Sequence, residues 1–139
     1  MACTEPSMKR INALEKQLDR IEKKQEKAET AFNKLVEECA HFDNFLRENN
    51  TPKPEMQLLR AYLQQYEDER TIIADDFAYS ISQVKDLKDD ITKGLYDEEQ
   101  RDGYLKSEEN AAKTLEAKLD YFIDRFEKQS EFIKYVEKQ

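Results

Sequence analysis

The sequence predicts an all-α protein, most simply an antiparallel three-helix bundle, and three observations lead to this fold class. Apolar residues recur every three or four positions through almost the whole chain, which is the spacing that places side chains along one side of a helix. The 139 residues include only two glycines and three prolines, so there is little from which to build the turns between strands. Two breaks then divide the chain into three segments of similar length, as an up-down-up bundle requires.

The first segment carries a seam of mostly apolar residues in which spacings of three and four alternate without a slip. This 3.5-residue period is typical of a coiled coil. Val36 and Phe45 widen the stripe at its C-terminal end, which indicates packing on more than one neighbour. The inward positions are Ile11, Leu14, Leu18, Ile21, Gln25, Ala28, Phe32, Leu35, Cys39, Phe42 and Leu46.

The second segment begins after the strongest break in the chain, at Pro52 and Pro54. Proline lacks a backbone donor and pushes the preceding residue out of the helical region, so the first helix ends here. A new seam follows, whose polar members Arg70 and Ser80 are of the kind that fixes register at some cost in stability. Its positions are Met56, Leu59, Leu63, Tyr66, Arg70, Ile73, Phe77, Ser80, Val84, Leu87 and Ile91.

The second break is predicted at Gly94, in the left-handed position that closes a helix, with Leu95 supplying the accompanying hydrophobic contact. Asp97 and Gln100 then have the spacing of a capping box, which opens a third helix. The third seam has Glu108 and Gln129 as polar members and runs through the apolar residues Leu105, Ala112, Leu115, Leu119, Phe122, Phe126, Ile133 and Val136.

These breaks predict an N-terminal tail of residues 1–6 and a single helical domain of residues 7–139, with helices at about 7–49, 54–93 and 97–138. One alternative stays open, because the second and third seams share one heptad phase. A continuous helix from Met56 to Val136 would then make an extended coiled-coil rod. The abundance of aromatic residues favours a thicker bundle or a multi-chain assembly over a two-stranded seam.

The net charge of −8 excludes some classes of partner. General binding to nucleic acid and docking on an anionic membrane both need a basic surface. Residues 52–103 hold seven Lys or Arg against thirteen Asp or Glu, so this part is either a solvated face or a surface for a basic partner. Cys3 and Cys39 make no disulfide framework, and no signal peptide or membrane span is apparent. We therefore expect an intracellular protein, cytoplasmic or cytoskeletal.

No arrangement of residues predicts catalysis, a cofactor or a metal site. His41 is the only histidine, and although Glu38 precedes it at the Glu-x-x-His spacing, a di-iron bundle needs two such motifs. The acidic pairs Asp75-Asp76 and Asp89-Asp90 fall on polar helix positions, where a charged surface is expected. Phosphate-binding loops, nucleophile elbows and zinc spacings are not found. We expect no enzymatic activity.

Two stretches resemble a known family. His41 to Asn50 reads HFDNFLRENN, which is similar to the Phe-Asp-x-Phe-Leu-x-Glu-Asn pattern of the coiled-coil proteins of the ciliary axoneme that include the modifier-of-inner-arms subunits. Tyr121-Phe122, followed by residues 131–137, resembles the aromatic pattern that closes that family's domain. The resemblance implies a structural or adaptor subunit on microtubule doublets that helps to place dynein arms, with packing rather than catalytic roles for the residues concerned.

The sequence therefore predicts a structural or adaptor protein that works through coiled-coil or helix-groove contacts with other proteins, as a homo- or hetero-oligomer in a cytoskeletal or axonemal assembly. The alternative is a self-contained three-helix module that binds a partner helix in a surface groove. The expected packing and interaction residues are Leu14, Leu18, Phe32, Leu35, Phe42, Phe45, Leu46, Leu63, Tyr66, Phe77, Leu119, Phe122, Phe126, Phe132 and Val136.

Overall fold

A computed structural model describes residues 5–49 and 54–138 of the chain, and over these residues the fold is all-α. The three helices are α1 (Glu5–Glu48), α2 (Pro54–Thr92) and α3 (Glu98–Glu137). Each end lies within two residues of its predicted position. Pro54 is the first residue of α2, where its missing backbone donor costs no helical hydrogen bond. The predicted all-α three-helix bundle is confirmed.

The bend between α2 and α3 forms as predicted at Gly94, which has a φ of 70°. The Gly94 amide donates to the Ile91 carbonyl at 3.0 Å, and the Leu95 amide donates to the Asp90 carbonyl at 3.1 Å. These two bonds satisfy carbonyls that the helix end would leave unpaired. Because α2 ends here, the alternative of one continuous helix from Met56 to Val136 is wrong.

The start of α3 is fixed by the predicted capping box. The Gln100 amide donates to Asp97 Oδ1 at 2.8 Å, and the Asp97 amide donates to Gln100 Oε1 at 3.0 Å. Each residue therefore satisfies a backbone donor of the other.

The hydrophobic contact predicted for Leu95 is wrong, because this side chain is 61% exposed. Tyr96, which is half-buried, packs in its place. Its ring lies 4.7 Å from the ring of Tyr104, and its hydroxyl donates to Asp90 Oδ2 at 3.0 Å. A tyrosine can pack one side of its ring while its hydroxyl reaches a polar partner, so it closes the bend better than the neighbouring leucine.

The described residues form two compact units, each containing a segment of all three helices. Unit 1 contains the described part of Met1–Lys23 together with Ile72–Lys118, and unit 2 contains the described parts of Lys24–Thr71 and Leu119–Gln139.

The core of unit 1 is aliphatic. Among the described residues of this unit, no aromatic side chain is fully buried. Ser80, a polar seam position in the sequence, is 3% exposed. Its buried apolar residues are Ile11, Leu14, Leu18, Ile21, Ile73, Val84, Leu87, Ile91, Leu105, Ala112 and Leu115.

The core of unit 2 is built around aromatic rings. The Tyr66 ring lies 5.0 to 5.2 Å from those of Phe32, Phe122 and Phe126. Its hydroxyl donates to Glu29 Oε1 at 2.8 Å. Burial, followed by this hydrogen bond to a carboxylate, raises the pKa of Tyr66 well above its usual range, so the hydroxyl remains a donor. The cluster joins all three helices.

Within each unit, contacts between helices show their directions. In unit 1, Arg10 pairs with Glu109 and Gln17 bonds to Glu116, so α1 and α3 run parallel. In unit 2, Glu29 bonds to Tyr66, and Asp43, further along α1, lies 3.7 Å from Arg60, which is earlier in α2. The segments of α1 and α2 are therefore antiparallel, as an up-down-up bundle requires.

Candidate partner-binding surface

The ion pairs between helices concentrate on α1. One member on this helix is common to the ion pairs Arg10–Asp102, Arg10–Glu109, Glu15–Lys88, Arg20–Glu116, Lys24–Asp120, Lys27–Glu127, Glu29–Arg70 and Asp43–Arg60. In unit 2, for example, Lys24 lies 2.8 Å from Asp120 on α3, and Arg70 on α2 lies 3.8 Å from Glu29. Ion pairs therefore join α1 to both of the other helices, whereas none of these pairs joins α2 to α3.

Arg10 makes the strongest of these links in unit 1. Its guanidinium lies 2.7 Å from Asp102 Oδ1 and 2.6 Å from Glu109 Oε1, and its Nε donates to Glu109 Oε2 at 3.2 Å. A fork of this kind combines charge with two parallel hydrogen bonds. The hydrogen bond from Arg10 lowers the pKa of the Asp102 carboxyl. The first turns of α3 are thus held to α1.

A groove of about 380 Å³ opens between α2 and α3 in unit 1. We call it the α2–α3 groove. Its lining includes the small residues Ser80, Ala111 and Thr114, with the buried Leu115 among them. Small side chains at these positions leave room that larger ones would fill, so an apolar side chain from outside can enter. The remaining lining residues are Asp76, Tyr79, Asn110 and Lys118.

A smaller cavity of about 150 Å³ lies near the helical bend, also between α2 and α3 of unit 1. We call it the acidic pocket, because Asp86, Asp90 and Glu108 line it and no cation does. Glu108 Oε2 is buried without a hydrogen-bond partner. Burial raises the pKa of this carboxyl. A cation placed here would relieve the loss of solvent around Glu108. The remaining lining residues are Gln83, Leu87, Tyr96 and Tyr104.

Exposed tyrosines lie at both cavities, since Tyr79 lines the groove and Tyr104 lines the acidic pocket. Tyr79 is 64% exposed, Tyr104 is 47% exposed, and Ile72, at the start of the α2 segment of unit 1, is 53% exposed. Single exposed apolar residues are ordinary on a protein surface, but here each cavity has an exposed tyrosine in its lining. Tyrosine is also enriched where proteins bind one another.

Most of the predicted packing residues lie in the core. Leu63 and Phe77 are half-buried on α2, and Phe45, Phe132 and Val136 are half-buried in unit 2. The fully buried ones are Leu14, Leu18, Phe32, Leu35, Phe42, Leu46, Tyr66, Leu119, Phe122 and Phe126.

The residues considered for chemistry are dispersed. His41 is exposed, and Glu38 instead accepts a hydrogen bond from Ser130 Oγ at 3.0 Å. In residues 5–49 and 54–138, no group of three or more His, Cys, Asp or Glu side chains is placed to hold a metal ion. Cys39 is buried as predicted, and burial raises the pKa of its thiol to about 11; Cys3 lies outside the described residues.

Comparison with protein families, with curated proteins and with solved structures finds no match to this chain. Over the residues that the structure describes, no helix is both long and apolar enough to span a membrane.

The sequence did not single out the groove itself. In the sequence Ser80 is only a polar member of the seam, and no pattern distinguishes the exposed Tyr79 and Tyr104 from the other aromatic residues. A usable signal was the combination of Ser80 with Ala111 and Ala112 in two neighbouring helices. Recognising it required knowing which turns of α2 and α3 lie side by side.

Proposed function

We propose that this chain is an adaptor that acts by binding other proteins, and that the α2–α3 groove of unit 1 receives an amphipathic helix of a partner. The observation that carries the proposal is the contrast between helix pairs. Ion pairs join α1 to both other helices, whereas small residues between α2 and α3 leave a groove that the exposed Tyr79 also lines. A helix laid in this groove would complete a four-helix arrangement.

The two cavities define the chemistry of the partner. An apolar side chain such as leucine or phenylalanine suits the α2–α3 groove, where Ser80 and Ala111 leave space. A lysine or arginine suits the acidic pocket, where Asp86, Asp90 and Glu108 gather without a cation. Tyr79 and Gln83 line one cavity each and lie four residues apart on α2. The partner helix should therefore carry its cation one or two turns from its apolar residue.

A display library of helical peptides, selected against the full chain, tests this proposal. We expect enriched peptides to pair an apolar residue with Lys or Arg three to seven positions away. The variant Ala111→Arg places a long charged side chain in the groove, so it should weaken these peptides at least about tenfold, equivalent to about 1.4 kcal/mol. Fluorescence anisotropy with labelled peptides measures the change.

Ala117→Arg is the matched control, because Ala117 is also an exposed alanine of α3 but does not line the groove. Peptides that respond equally to both variants, or a selection without this pattern, would refute the proposal. Light scattering adds a second check. If the chain forms a dimer that Ala111→Arg abolishes, then the occupant of the groove is a second copy and not another protein.

A cytoskeletal or axonemal assembly is the setting that we propose for this binding. It is supported by the resemblance to ciliary axoneme proteins, whose two matching stretches both contribute to unit 2. The ring of Phe42 in the first stretch lies 6.4 Å from the ring of Phe132 in the second. The tagged full chain, expressed in ciliated cells, should concentrate along the axoneme; a uniform cytoplasmic distribution would count against this setting.

A further inference from the structure

Arg125 of α3 is held between two tyrosine rings in unit 2. Its guanidinium carbon lies 5.6 Å from the centre of the Tyr62 ring, on α2, and 5.4 Å from that of Tyr121, one turn earlier in α3. The Tyr121 hydroxyl in turn donates to Gln65 Oε1 at 3.4 Å. Contacts with two aromatic rings restrict the guanidinium to a narrow range of positions. Arg125 is therefore oriented in advance of any ligand.

This arginine differs from the other six in the chain. Each of those has an oxygen partner: Arg10, Arg20, Arg47, Arg60 and Arg70 pair with carboxylates, and Arg101 donates to the Tyr96 carbonyl. Within the described residues, Arg125 has ring contacts but no oxygen partner. Although the chain has 31 acidic residues, none of those that the structure describes pairs with this guanidinium.

The unmatched donors divide into two groups. Arg125 Nε is buried without a hydrogen-bond partner, whereas the two terminal nitrogens are not among the buried unpaired atoms. Since Arg125 is half-buried and has no oxygen partner among the described residues, its terminal nitrogens are not fully enclosed. Side by side, they present the parallel donors that a carboxylate accepts at both of its oxygens. The orientation of this guanidinium is compatible with a paired hydrogen bond to a carboxylate.

Apolar surface lies beside this guanidinium. Leu58, one turn before Tyr62 on α2, is 52% exposed, and Tyr121 is 38% exposed. Tyrosine and arginine are the residue types that most often carry binding energy in protein interfaces, particularly where apolar neighbours exclude water.

We propose that Leu58, Tyr62, Tyr121 and Arg125 form a second interaction surface, the arginine patch, which binds an aspartate or glutamate side chain on a segment of a partner protein. Arg125 pairs with the carboxylate, and an apolar residue of the same segment packs on Leu58. A singly charged carboxylate suits the patch better than a phosphate, since the chain carries a net charge of −8 and repels a doubly charged group more strongly. The arginine patch lies wholly in unit 2 and does not depend on the α2–α3 groove of unit 1.

A random-peptide display selection against the full chain carrying Ala111→Arg tests the arginine patch separately, because that substitution blocks the groove. We expect enriched peptides to contain Asp or Glu next to an apolar residue. Replacing that acid by its amide, or introducing Arg125→Gln into the protein, should each weaken binding at least tenfold. Arg125→Lys should restore only part of the affinity, since an ammonium cannot present two parallel donors.

Lys128→Gln is the matched control. Lys128 lies in the next turn of α3 and pairs with Asp124 at 3.0 Å, so its loss removes one positive charge without changing the patch. Binding that falls equally with Lys128→Gln would reflect net charge alone and would overturn the proposal. An absence of peptides sensitive to Arg125→Gln would also overturn it, provided that thermal melts show the variant to be folded. Neither result bears on the groove, which is already blocked in this experiment.

Discussion

Units 1 and 2 contain segments of the same three helices and continue the same heptad seams, yet they are packed in different ways. Unit 2 gathers Phe32, Tyr66, Phe122 and Phe126 into one buried cluster. Unit 1 buries aliphatic residues and Ser80, and it contains a groove of about 380 Å³. The period of the seam therefore specifies that helices pack together, whereas the sizes of the residues in and beside the seam determine where a groove remains.

The aromatic cluster of unit 2 and the groove of unit 1 are expected to differ in how much they contribute to stability. Aromatic side chains bury a large apolar area, and pairs of rings contribute about 0.5–1.5 kcal/mol beyond that burial. The aromatic cluster is therefore expected to contribute most to the stability of the fold. Small seam residues contribute less burial, but they leave accessible space. The aromatic cluster lies in unit 2 and the groove lies in unit 1.

The largest effect is expected from removing a central ring of unit 2. Phe126 is fully buried and lies within 6.0 Å of three other rings. Phe126→Ala should lower the free energy of unfolding by about 3–5 kcal/mol, because it removes apolar contacts and leaves a cavity. Urea unfolding followed by circular dichroism measures this change.

Tyr135→Ala serves as the control for the aromatic cluster. Tyr135 is another aromatic residue of α3 in unit 2, but it is 63% exposed. Its removal should change the free energy of unfolding by no more than about 0.5 kcal/mol. If Phe126→Ala costs less than about 1 kcal/mol, the assignment of stability to the aromatic cluster is wrong.

The sequence was sufficient to predict the helices because each boundary has a local cause. Gly94 accepts the left-handed conformation that ends α2, and Asp97 with Gln100 supplies the capping box that begins α3. Such signals act within a few residues, so they can be read along the chain. Heptad phase alone did not distinguish a bend from a continuous helix, since both keep the same period.

The groove and the arginine patch could not be predicted in the same way. Both depend on which turns of α2 and α3 lie together, which is a long-range property. Arg125 meets Tyr62 across more than sixty positions of sequence, and nothing local distinguishes it from the other arginines. Ile123 and Ser130 were missed for a related reason. They lie beside the third seam and are buried because the bundle covers more of α3 than a two-stranded coil would.

The smallest effect should come from the acidic pocket of unit 1. Burial raises the pKa of Glu108, so the charged form is disfavoured in the folded protein. The contribution of Glu108 to the free energy of unfolding is favourable below the ordinary carboxyl pKa. It is lost as the pH rises through the raised pKa of the folded protein. Glu108→Gln should therefore slightly raise the melting temperature at pH 7. The gain in unfolding free energy should stay below about 0.5 kcal/mol, because solvent screens this half-buried group.

The neighbouring residue provides a control of opposite sign. Glu109 pairs with Arg10 at 2.6 Å, so Glu109→Gln should lower the melting temperature at pH 7. The difference between wild type and Glu108→Gln should shrink as the pH falls towards 4, where the wild-type carboxyl also becomes neutral. A difference that is constant between pH 4 and pH 8 would mean that the effect of Glu108 is steric. The electrostatic reason for expecting a cationic partner side chain in the acidic pocket would then be removed. The two units would differ only in the sizes of their side chains.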